Sequence, residues 1–567
     1  MADDDRGLGW ERCAAITGLM ALTVRAGLDT SARLTYHEGF VAQAAREMVA
    51  SGDWLVPTVG GRPWLEKPPL LIWLVAGLGG LTDGVTEWAT RAPSALAATA
   101  LALGVALLAA RRFGARVGFV AGLIQATTAW TVLRGRLGEA DVLLAALVVG
   151  LMVAFDRLRT PRAVPPGEPP LLRGPHRLIS VPALALATTA GDRPRSGSAA
   201  AASARLDPAP RVDGAALAVA APVAGLVPAR WAFWGLLGTT ALVKGVGFGA
   251  ALAVPAVGAV LLWDRDWRGA RRLVGVGGMA LAALVALAWP LAVAARHPEA
   301  VALWALHVTD RLASHPEHFI GGSRWQYLPA VLLQALPWTP LALLGMGPSL
   351  RRARREPGGG DRLLWAWAVV PILVLSAATV KNAHYAIHAL PPWSIWAALG
   401  LTRVEGFLAR RPWWAPGRSR RVATGLFGGV GLAVAVGYLA VAPRLDAKGR
   451  EWAYCEAVGR SLDPGTPLVC LYEDWDRKPY PTPFGPVPHD WAIRLYSFGR
   501  PATWRQGVDD LAARPPSPPG RPFAVLARDR DLPGLARLGR VEVVSRGPTG
   551  RWDRSFALFR VMPAARP

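Results

Sequence analysis

Long apolar runs are the feature that most restricts how this chain of 567 residues can fold. A helix needs roughly 20 predominantly apolar residues to cross the hydrocarbon core of a bilayer, and several runs here reach or approach that length. Hydrophobic residues make up 52% of the chain, which is too many for one soluble domain of this size. We therefore predict an all-α polytopic membrane protein with about 11 transmembrane helices, at residues 13–29, 92–110, 117–133, 140–157, 229–243, 247–263, 273–296, 326–347, 363–380, 387–402 and 422–442.

Arginine-rich loops predict the orientation of these spans. If the N-terminus is cytoplasmic, every loop that falls inside is rich in arginine, as cytoplasmic loops of membrane proteins are. The net charge of +23 is also typical of nucleic-acid-binding proteins. The basic residues, however, interrupt apolar segments instead of forming one face, so we expect no nucleic-acid partner. The predicted inside loops are residues 111–116, 156–230, 264–272, 351–362 and 403–421.

Composition divides the chain into a membrane domain at residues 1–442 and a small α/β domain at residues 443–567. Counting the spans places the second domain outside the cytoplasm. Residues 158–212 are rich in Pro, Arg, Ser, Ala and Gly, which predicts a disordered cytoplasmic insertion. Apolar stretches at 178–190 and 214–228 can add spans, and the sequence leaves this open. In the terminal domain we expect a helix at 447–460 and strands at 467–472, 523–527, 541–544 and 556–561.

The cysteines do not form a disulfide framework, because the chain has only three. Cys13 falls in the first predicted span. Cys455 and Cys470 both fall in the terminal domain, where oxidising conditions permit a bridge. The alternative is that they are two small buried hydrophobic residues.

The first predicted outer loop concentrates ionisable residues at a membrane edge, where they are costly unless they pair or function. Residues 40–49 place apolar side chains at a helical period, with Gln43, Arg46 and Glu47 on the opposite face. This pattern predicts a helix that lies on the membrane surface. Glu38 would stand in its first turn, where the free N–H groups favour a carboxylate.

This loop resembles that of a known family. The pattern REM–x3–GDW–x11–EKPPL, at residues 46–70, is similar to the first extracytoplasmic loop of the GT-C glycosyltransferases, especially the ArnT-type and protein O-mannosyltransferase families. The resemblance implies transfer of a sugar from a polyprenyl-phosphate carrier, at an active site on the outer face. The family usually has Asp-Glu where this chain has His37-Glu38, and the first of that pair is the family's catalytic carboxylate.

Because this chain has His37-Glu38 where the family usually has Asp-Glu, two assignments of the catalytic base are possible. Adjacent helical residues point in different directions, so His37 and Glu38 cannot both face the site from a regular helix. We favour Glu38, because a carboxylate also complements nearby lysines. The alternative is that His37 acts as the base, since an imidazole can accept a proton near pH 7, with Glu38 or Asp141 orienting it.

Lysine usage marks three further positions. Only five of the 63 basic residues are lysine, and three of these stand at predicted outer membrane boundaries: Lys67, Lys244 and Lys381. A compact ammonium suits a phosphate as a point charge, and all three contexts resemble GT-C loops. We therefore predict that they bind the donor phosphate. The alternative is that they are lysines that snorkel at helix ends.

Other polar residues complete the predicted site. Asp141 opens a span from the outer side and is either catalytic or a helix cap. We expect Glu66, His384, Tyr385 and Tyr327 to contact substrate. Glu66, His315 and His318 have the residue types of a divalent-metal site, the only cofactor that we consider, although a solvated polar loop explains them as well.

These observations predict an integral-membrane glycosyltransferase that moves a sugar from a polyprenyl-phosphate donor to an extracytoplasmic acceptor. Its acceptor would be a lipid A-like glycolipid, a polysaccharide or a protein, and its location the plasma (inner) membrane among membrane lipids. Two alternatives stay open. A polytopic lipid transporter or flippase would explain outward lysines, and a catalytically degenerate family member would explain His37.

Overall fold

The structure is a computed structural model that describes residues 8–29, 33–160, 214–312, 323–379, 381–415, 417–445, 449–472, 491–547 and 556–563. Most of the chain is helical, and a small sheet follows near the C-terminal end. The helices are α1 (Trp10–Met20), α2 (Tyr36–Ser51), α3 (Leu70–Leu81), α4 (Glu87–Phe113), α5 (Ala115–Thr127), α6 (Ala129–Gly135), α7 (Ala140–Arg159), α8 (Gly214–Lys244), α9 (Phe248–Asp264), α10 (Trp267–Leu273), α11 (Val276–Arg296), α12 (Ala300–Leu312), α13 (Tyr327–Gln334), α14 (Thr339–Arg355), α15 (Gly360–Ala377), α16 (Leu390–Leu408), α17 (Arg418–Val436), α18 (Ala442–Leu445), α19 (Gly449–Ser461), α20 (Trp491–Ser497), α21 (Gly507–Ala513) and α22 (Leu532–Leu535).

The helical part has the character of a polytopic membrane protein. In the described residues, four helices are long and apolar enough to cross a bilayer, and six spans result if each of two bent pairs counts as one. The bent pairs are α6 with α7 and α13 with α14, which meet at 119° and 113°. The predicted total of about 11 spans therefore stays a prediction.

Two parts of the predicted topology differ from the structure. Residues 214–244 form one continuous helix, α8, so the apolar stretch 214–228 extends the predicted span 229–243 at its N-terminal end. Helix α3 was not predicted, because its 12 residues after Pro68-Pro69 are too few for a full span. Most of the predicted insertion 158–212 lies outside the described residues, as does the stretch 178–190.

Close packing of the bundle depends on small residues where helices cross. Helices α14 and α16 approach at Gly345 and Gly400. A Cβ on Gly345 would collide with the Trp396 carbonyl group, and one on Gly400 with that of Leu341. Small residues let helix backbones approach closely in membranes, and this contact fixes how the two helices cross.

The predicted amphipathic helix is confirmed as α2, but its polar face is not left in water. Glu47 accepts hydrogen bonds from the Thr58 hydroxyl (2.8 Å) and from the backbone N–H groups of Gly60 (2.5 Å) and Gly61 (3.0 Å). These residues belong to a short antiparallel hairpin of β1 (Thr58–Val59) and β2 (Arg62–Pro63). Gly60 and Gly61 have φ of 63° and 74°, a conformation that favours glycine. The polar face of α2 therefore holds the loop that leads to Glu66 and Lys67.

The terminal part of the chain forms a five-stranded sheet of β3 (Leu468–Tyr472), β4 (Thr503–Gln506), β5 (Phe523–Arg528), β6 (Gly539–Arg546) and β7 (Phe556–Pro563). The strand order in the sheet is β4-β3-β5-β7-β6. Strand β3 pairs in parallel with β4 and β5, whereas β7 pairs antiparallel with β5 and β6. Four strands were predicted, and β4 was missed because TWRQ is short and polar. Cys455 and Cys470 are both buried and form no disulfide with each other, so the bridge is not formed.

The terminal sheet and its helices pack directly on the first loop. Arg46 of α2 donates to the Tyr496 carbonyl oxygen (2.6 Å) and lies 4.1 Å from the centroid of the Tyr496 ring. The Tyr496 hydroxyl in turn donates to the carbonyl oxygen of Val85, just before α4 (2.9 Å). Apolar residues of α2, α3 and the terminal part share one core. The terminal part therefore lies at the same end of the bundle as α2.

Candidate active site

An acid, a lysine and a histidine from three distant parts of the chain meet at this end of the bundle. Asp141 stands in the first turn of α7, and Lys244 is the last residue of α8. The Lys244 ammonium donates to Asp141 Oδ1 at 2.8 Å, and His384 Nε2 lies 3.9 Å from Asp141 Oδ2. Asp141 is not the helix cap, because Glu139 occupies that position. The structure thus brings together three residues that the sequence singled out separately.

Aromatic rings surround the lysine of this cluster. The Lys244 ammonium lies 4.3 Å from the centroid of the Tyr385 ring and 5.6 Å from that of Phe248. Phe248 also meets Tyr385 edge to face. A cation against aromatic faces in a poorly hydrated site keeps its charge while it loses mobility. Lys244 is therefore held in one place, with an aromatic wall on one side.

His384 and Tyr385 belong to a short 3₁₀ segment, Ala383–Ala389, that precedes α16. Gln334 of α13 donates to the Ala383 carbonyl oxygen (2.6 Å), and Trp367 of α15 donates to that of His388 (3.0 Å). Burial lowers the pKa of His384 to about 4, although the Asp141 carboxylate works in the opposite direction. His384 is therefore a neutral hydrogen-bonding group at pH 7 and not a cation.

The other two predicted lysines differ from each other. Lys67 is exposed, in the loop before α3, and is near enough for its charge to act on His384. Lys381 is buried and donates to the Ala378 carbonyl oxygen at 2.5 Å, at the end of α15. The charges of Lys67 and Lys244 therefore both act on His384, whereas Lys381 anchors the start of the 3₁₀ segment.

Glu38 is a buried structural anchor in this structure, not an accessible carboxylate. Its side chain is 0% exposed and accepts from Arg91 Nε (2.8 Å). It also accepts from the backbone N–H of Thr35 (2.8 Å) and of Gly138 (2.9 Å). With these donors around it, Glu38 has no free face for a substrate hydroxyl. The structure therefore does not support our expectation that Glu38 is the catalytic base.

His37 faces away from Glu38, as the helical geometry requires. The His37 side chain is exposed in the first turn of α2 and stacks on Tyr36, with ring centroids 3.9 Å apart. Of the two neighbours, only His37 is therefore open to a ligand.

The remaining predicted residues are placed less closely together. Tyr327 is buried at the start of α13, beside Asn382 and Tyr385, and Glu66 is half-buried before Lys67. His315 and His318 lie outside the described residues, so the predicted metal site stays a prediction. Within the described part of the chain, no group of three or more His, Cys, Asp and Glu side chains could hold a metal ion.

Three arginines support the site and were not predicted. Arg91 pairs with Glu38, Arg134 pairs with Glu139, and Arg136 donates to the backbone carbonyl groups of Thr23 and Val24. All three stand at outer boundaries of the predicted spans, where the positive-inside rule predicts few arginines. Arginines at outer boundaries are therefore an exception to this rule, and that exception in the sequence was a signal that each of the three arginines has an acidic or carbonyl partner.

Comparison with known proteins agrees with this architecture. Residues 66–160 match the sequence model of the dolichyl-phosphate-mannose-protein mannosyltransferase family. The chain is 28% identical to the undecaprenyl phosphate-alpha-4-amino-4-deoxy-L-arabinose arabinosyl transferase 1 of Sodalis glossinidius, over 62% of this chain and 52% of that protein. It is 29% identical to the corresponding transferase of Edwardsiella ictaluri, over 64% of this chain and 55% of the relative. The chain thus spans about half the length of the curated relatives it matches.

A solved structure extends the comparison to nearly the whole chain. The crystal structure of ArnT from Cupriavidus metallidurans bound to undecaprenyl phosphate superposes with a TM-score of 0.66 and 19% sequence identity, over 99% of this chain and 100% of that one. The chain therefore has the GT-C-type polytopic membrane fold. Within that class it is ArnT-like in both sequence and structure.

Proposed function

We propose that this protein is an integral-membrane glycosyltransferase that takes a sugar from a polyprenyl-phosphate carrier. The observation that carries the proposal is the Asp141–Lys244–His384 cluster, in a fold shared with a protein crystallised with undecaprenyl phosphate. The relatives that match in sequence are named as transferases that use an undecaprenyl-phosphate sugar. The acceptor would be extracytoplasmic: a glycolipid, a polysaccharide or a protein.

Lys244 and Lys67 would stabilise the phosphate that leaves the sugar. The bond between the anomeric carbon and the phosphate oxygen breaks, and negative charge develops on that oxygen. Positive groups fixed in advance, in surroundings with little water, stabilise such charge strongly. Lys244 is fixed by Asp141 and by the Tyr385 ring, and Lys67 adds a second, more exposed charge from the loop before α3.

Asp141 would be the carboxylate that orients or deprotonates the acceptor hydroxyl. In the structure it neutralises Lys244, and an arriving phosphate competes for that lysine. Asp141 is then free to accept a proton from the acceptor oxygen as it bonds to the sugar. Neutral His384, 3.9 Å from Asp141, would hydrogen-bond to substrate or carboxylate without adding charge. His37 is the second candidate base, because it is exposed at the same end of the bundle.

Glu38 would act as a positioning residue. It joins the first turn of α2, helix α4 and the turn that leads to Asp141, through Thr35, Arg91 and Gly138. This role agrees with its burial and separates it from the reacting groups. The site and the terminal domain (residues 443–567) would both lie on the outer face of the plasma membrane, since both stand at the α2 end of the bundle.

A transfer assay with radiolabelled polyprenyl-phosphate sugars in membranes tests the proposal. Asp141→Asn should abolish transfer while donor binding persists or tightens, because Lys244 loses its competing carboxylate. Lys244→Ala should weaken donor binding, by about 1.5–3 kcal/mol for one charge-assisted contact. The control is Arg521→Ala, which removes an exposed cation in the terminal part of the chain.

Normal transfer by Asp141→Asn, together with loss of transfer in His37→Ala, would assign the role of catalytic base to His37. Movement of lipid without transfer of sugar would favour a transporter.

A further inference from the structure

A second polar site stands at the other end of the bundle. Helix α7 carries Asp141 in its first turn and Arg159 as its last residue, so the two ends lie roughly 27 Å apart at 1.5 Å per residue. That distance is close to the thickness of a bilayer's hydrocarbon core. Arg159 therefore marks the membrane surface opposite the candidate active site.

Arginines line a cavity at that surface. The cavity has a volume of 570 Å³ and lies where the end of α7 meets the turn between α9 and α10. Its charged lining consists of Arg159, Arg265, Arg268, Arg271, Asp264 and Asp266.

The two aspartates are already satisfied by partners within the protein. Asp264 pairs with Arg159 and with Arg362 (2.7 Å), and it accepts from the backbone N–H of Gly358 (2.9 Å). Asp266 pairs with Arg159 at 3.3 Å and accepts from the backbone N–H of Gly269 (2.7 Å). Neither carboxylate is left to neutralise the other arginines of the wall.

The arginines of the outer wall present unneutralised positive charge. Arg265, Arg268 and Arg271 are exposed, and none forms an ion pair with another residue in the part of the chain that the structure describes. Thr160 lines the cavity, and the segment that follows it in the sequence, residues 161–213, contains seven arginines and only four acidic residues. Its composition does not complement the cavity. The charge of this wall fits an anion from outside the chain.

A buried donor also points to an anion. Arg159 is 7% exposed and lines the cavity, yet its Nη1 has no hydrogen-bond partner among the described residues. Leaving a buried donor unpaired costs free energy, more so for a charged group. A phosphate oxygen that enters the cavity would be an acceptor for it.

The surroundings of the cavity indicate which kind of anion would fit it. Trp267 in the wall is 61% exposed, and the neighbouring Trp263, Val274 and Val276 are 40%, 60% and 86% exposed. Tryptophan is enriched at the level of the lipid headgroups, and exposed valines beside it suit acyl chains. A free anion in water would need no such apolar border.

We propose that this cavity binds the phosphate headgroup of an anionic phospholipid, whose acyl chains lie along Trp267 and Val274. Basic pockets between transmembrane helices at a membrane surface suit anionic headgroups. The site is separate from the proposed sugar-transfer site, because the two stand at opposite ends of α7. It would tie the α9–α10 turn to one leaflet of the bilayer.

Native mass spectrometry of the full-length protein in neutral detergent tests this inference, with added phosphatidylglycerol or phosphatidylcholine. We expect selective binding of phosphatidylglycerol. The triple variant Arg265→Gln, Arg268→Gln, Arg271→Gln should bind it roughly 100-fold more weakly, at the contribution expected per arginine near a membrane surface. The matched control changes three exposed arginines at the same end of the bundle to glutamine, Arg403, Arg410 and Arg421, and should keep wild-type binding.

Three results would overturn the inference. The first is equal binding of the two lipids by the wild-type protein, which needs no variant to fold. The second is equal loss in the two triple variants. The third is displacement of phosphatidylglycerol by millimolar inorganic phosphate, which would make the cavity a site for free anions. Retained phosphatidylglycerol binding in Lys244→Ala would support a site distinct from that of the donor.

Discussion

The buried pair of Glu38 and Arg91 gives the sharpest test of how the candidate site is built. The two side chains are 0% and 4% exposed, and Arg91 Nε lies 2.8 Å from Glu38 Oε1. Arg91 also donates to the carbonyl oxygens of Leu28 (2.7 Å) and Arg33 (3.2 Å). Arg91→Met keeps most of the side-chain volume but removes the cation. It leaves the Glu38 carboxylate buried with only backbone N–H donors.

The expected cost follows from the burial of the pair. Removing one partner of a buried ion pair typically destabilises a protein by about 3–5 kcal/mol, because an uncompensated charge stays in the interior. The double variant Glu38→Gln, Arg91→Met leaves no such charge and should recover part of that loss. The matched control is Arg116→Met, which breaks the Arg116–Glu405 pair of similar length (2.7 Å) but with Arg116 62% exposed. An exposed pair contributes no more than about 1 kcal/mol.

Unfolding by sodium dodecyl sulfate in mixed micelles, followed by tryptophan fluorescence, gives the free energy of each variant. The reasoning fails if Arg91→Met costs no more than Arg116→Met. It also fails if the double variant is less stable than Arg91→Met alone. Arg91→Met should in addition slow sugar transfer, since Glu38 holds the turn before Asp141 through Gly138.

Three further predictions concern topology, packing and redox state. A cysteine introduced at exposed position 521 should react with an impermeant thiol reagent in intact cells, because we propose that the terminal domain lies outside the cytoplasm. Protection of this cysteine from the reagent would reverse the proposed orientation. Gly345→Ala should destabilise the protein by about 1–3 kcal/mol through its clash with α16. Gly347→Ala is the control, because a Cβ there meets open space and should not change stability. Equal unfolding free energies of the two variants would contradict the close packing of α14 on α16. Cys455 and Cys470 should stay reduced, so the mass of the alkylated protein should be the same with and without prior reduction.

Local patterns were sufficient to predict much of the helical architecture and to select candidate residues for the site. A long apolar segment predicts a span, because its length matches the hydrocarbon core of the bilayer. Such a segment must be helical, because no water is present there to hydrogen-bond its backbone groups. The helical period of residues 40–49 predicted α2, and short apolar runs between polar turns predicted four strands of the terminal sheet. Lysine, in a chain that otherwise uses arginine, marked Lys67 and Lys244. These signals are local in sequence, and one chain is enough to detect them.

What the sequence could not decide is which charged groups meet. Glu38 and Arg91, or Asp141 and Lys244, are far apart in the chain, and only the folded bundle brings each pair within 2.8 Å. The sequence therefore identified Asp141, Lys244 and Glu38 as candidates but assigned the accessible role to Glu38. Burial argues against that assignment, because the Glu38 carboxylate is enclosed by Arg91, Thr35 and Gly138, whereas Asp141 contacts Lys244, the lysine that we propose binds the donor phosphate. Composition and periodicity were enough to predict the membrane fold. The proposed division of the carboxylates, with Glu38 as an anchor and Asp141 as the reactive group, depends on distances that only tertiary packing sets.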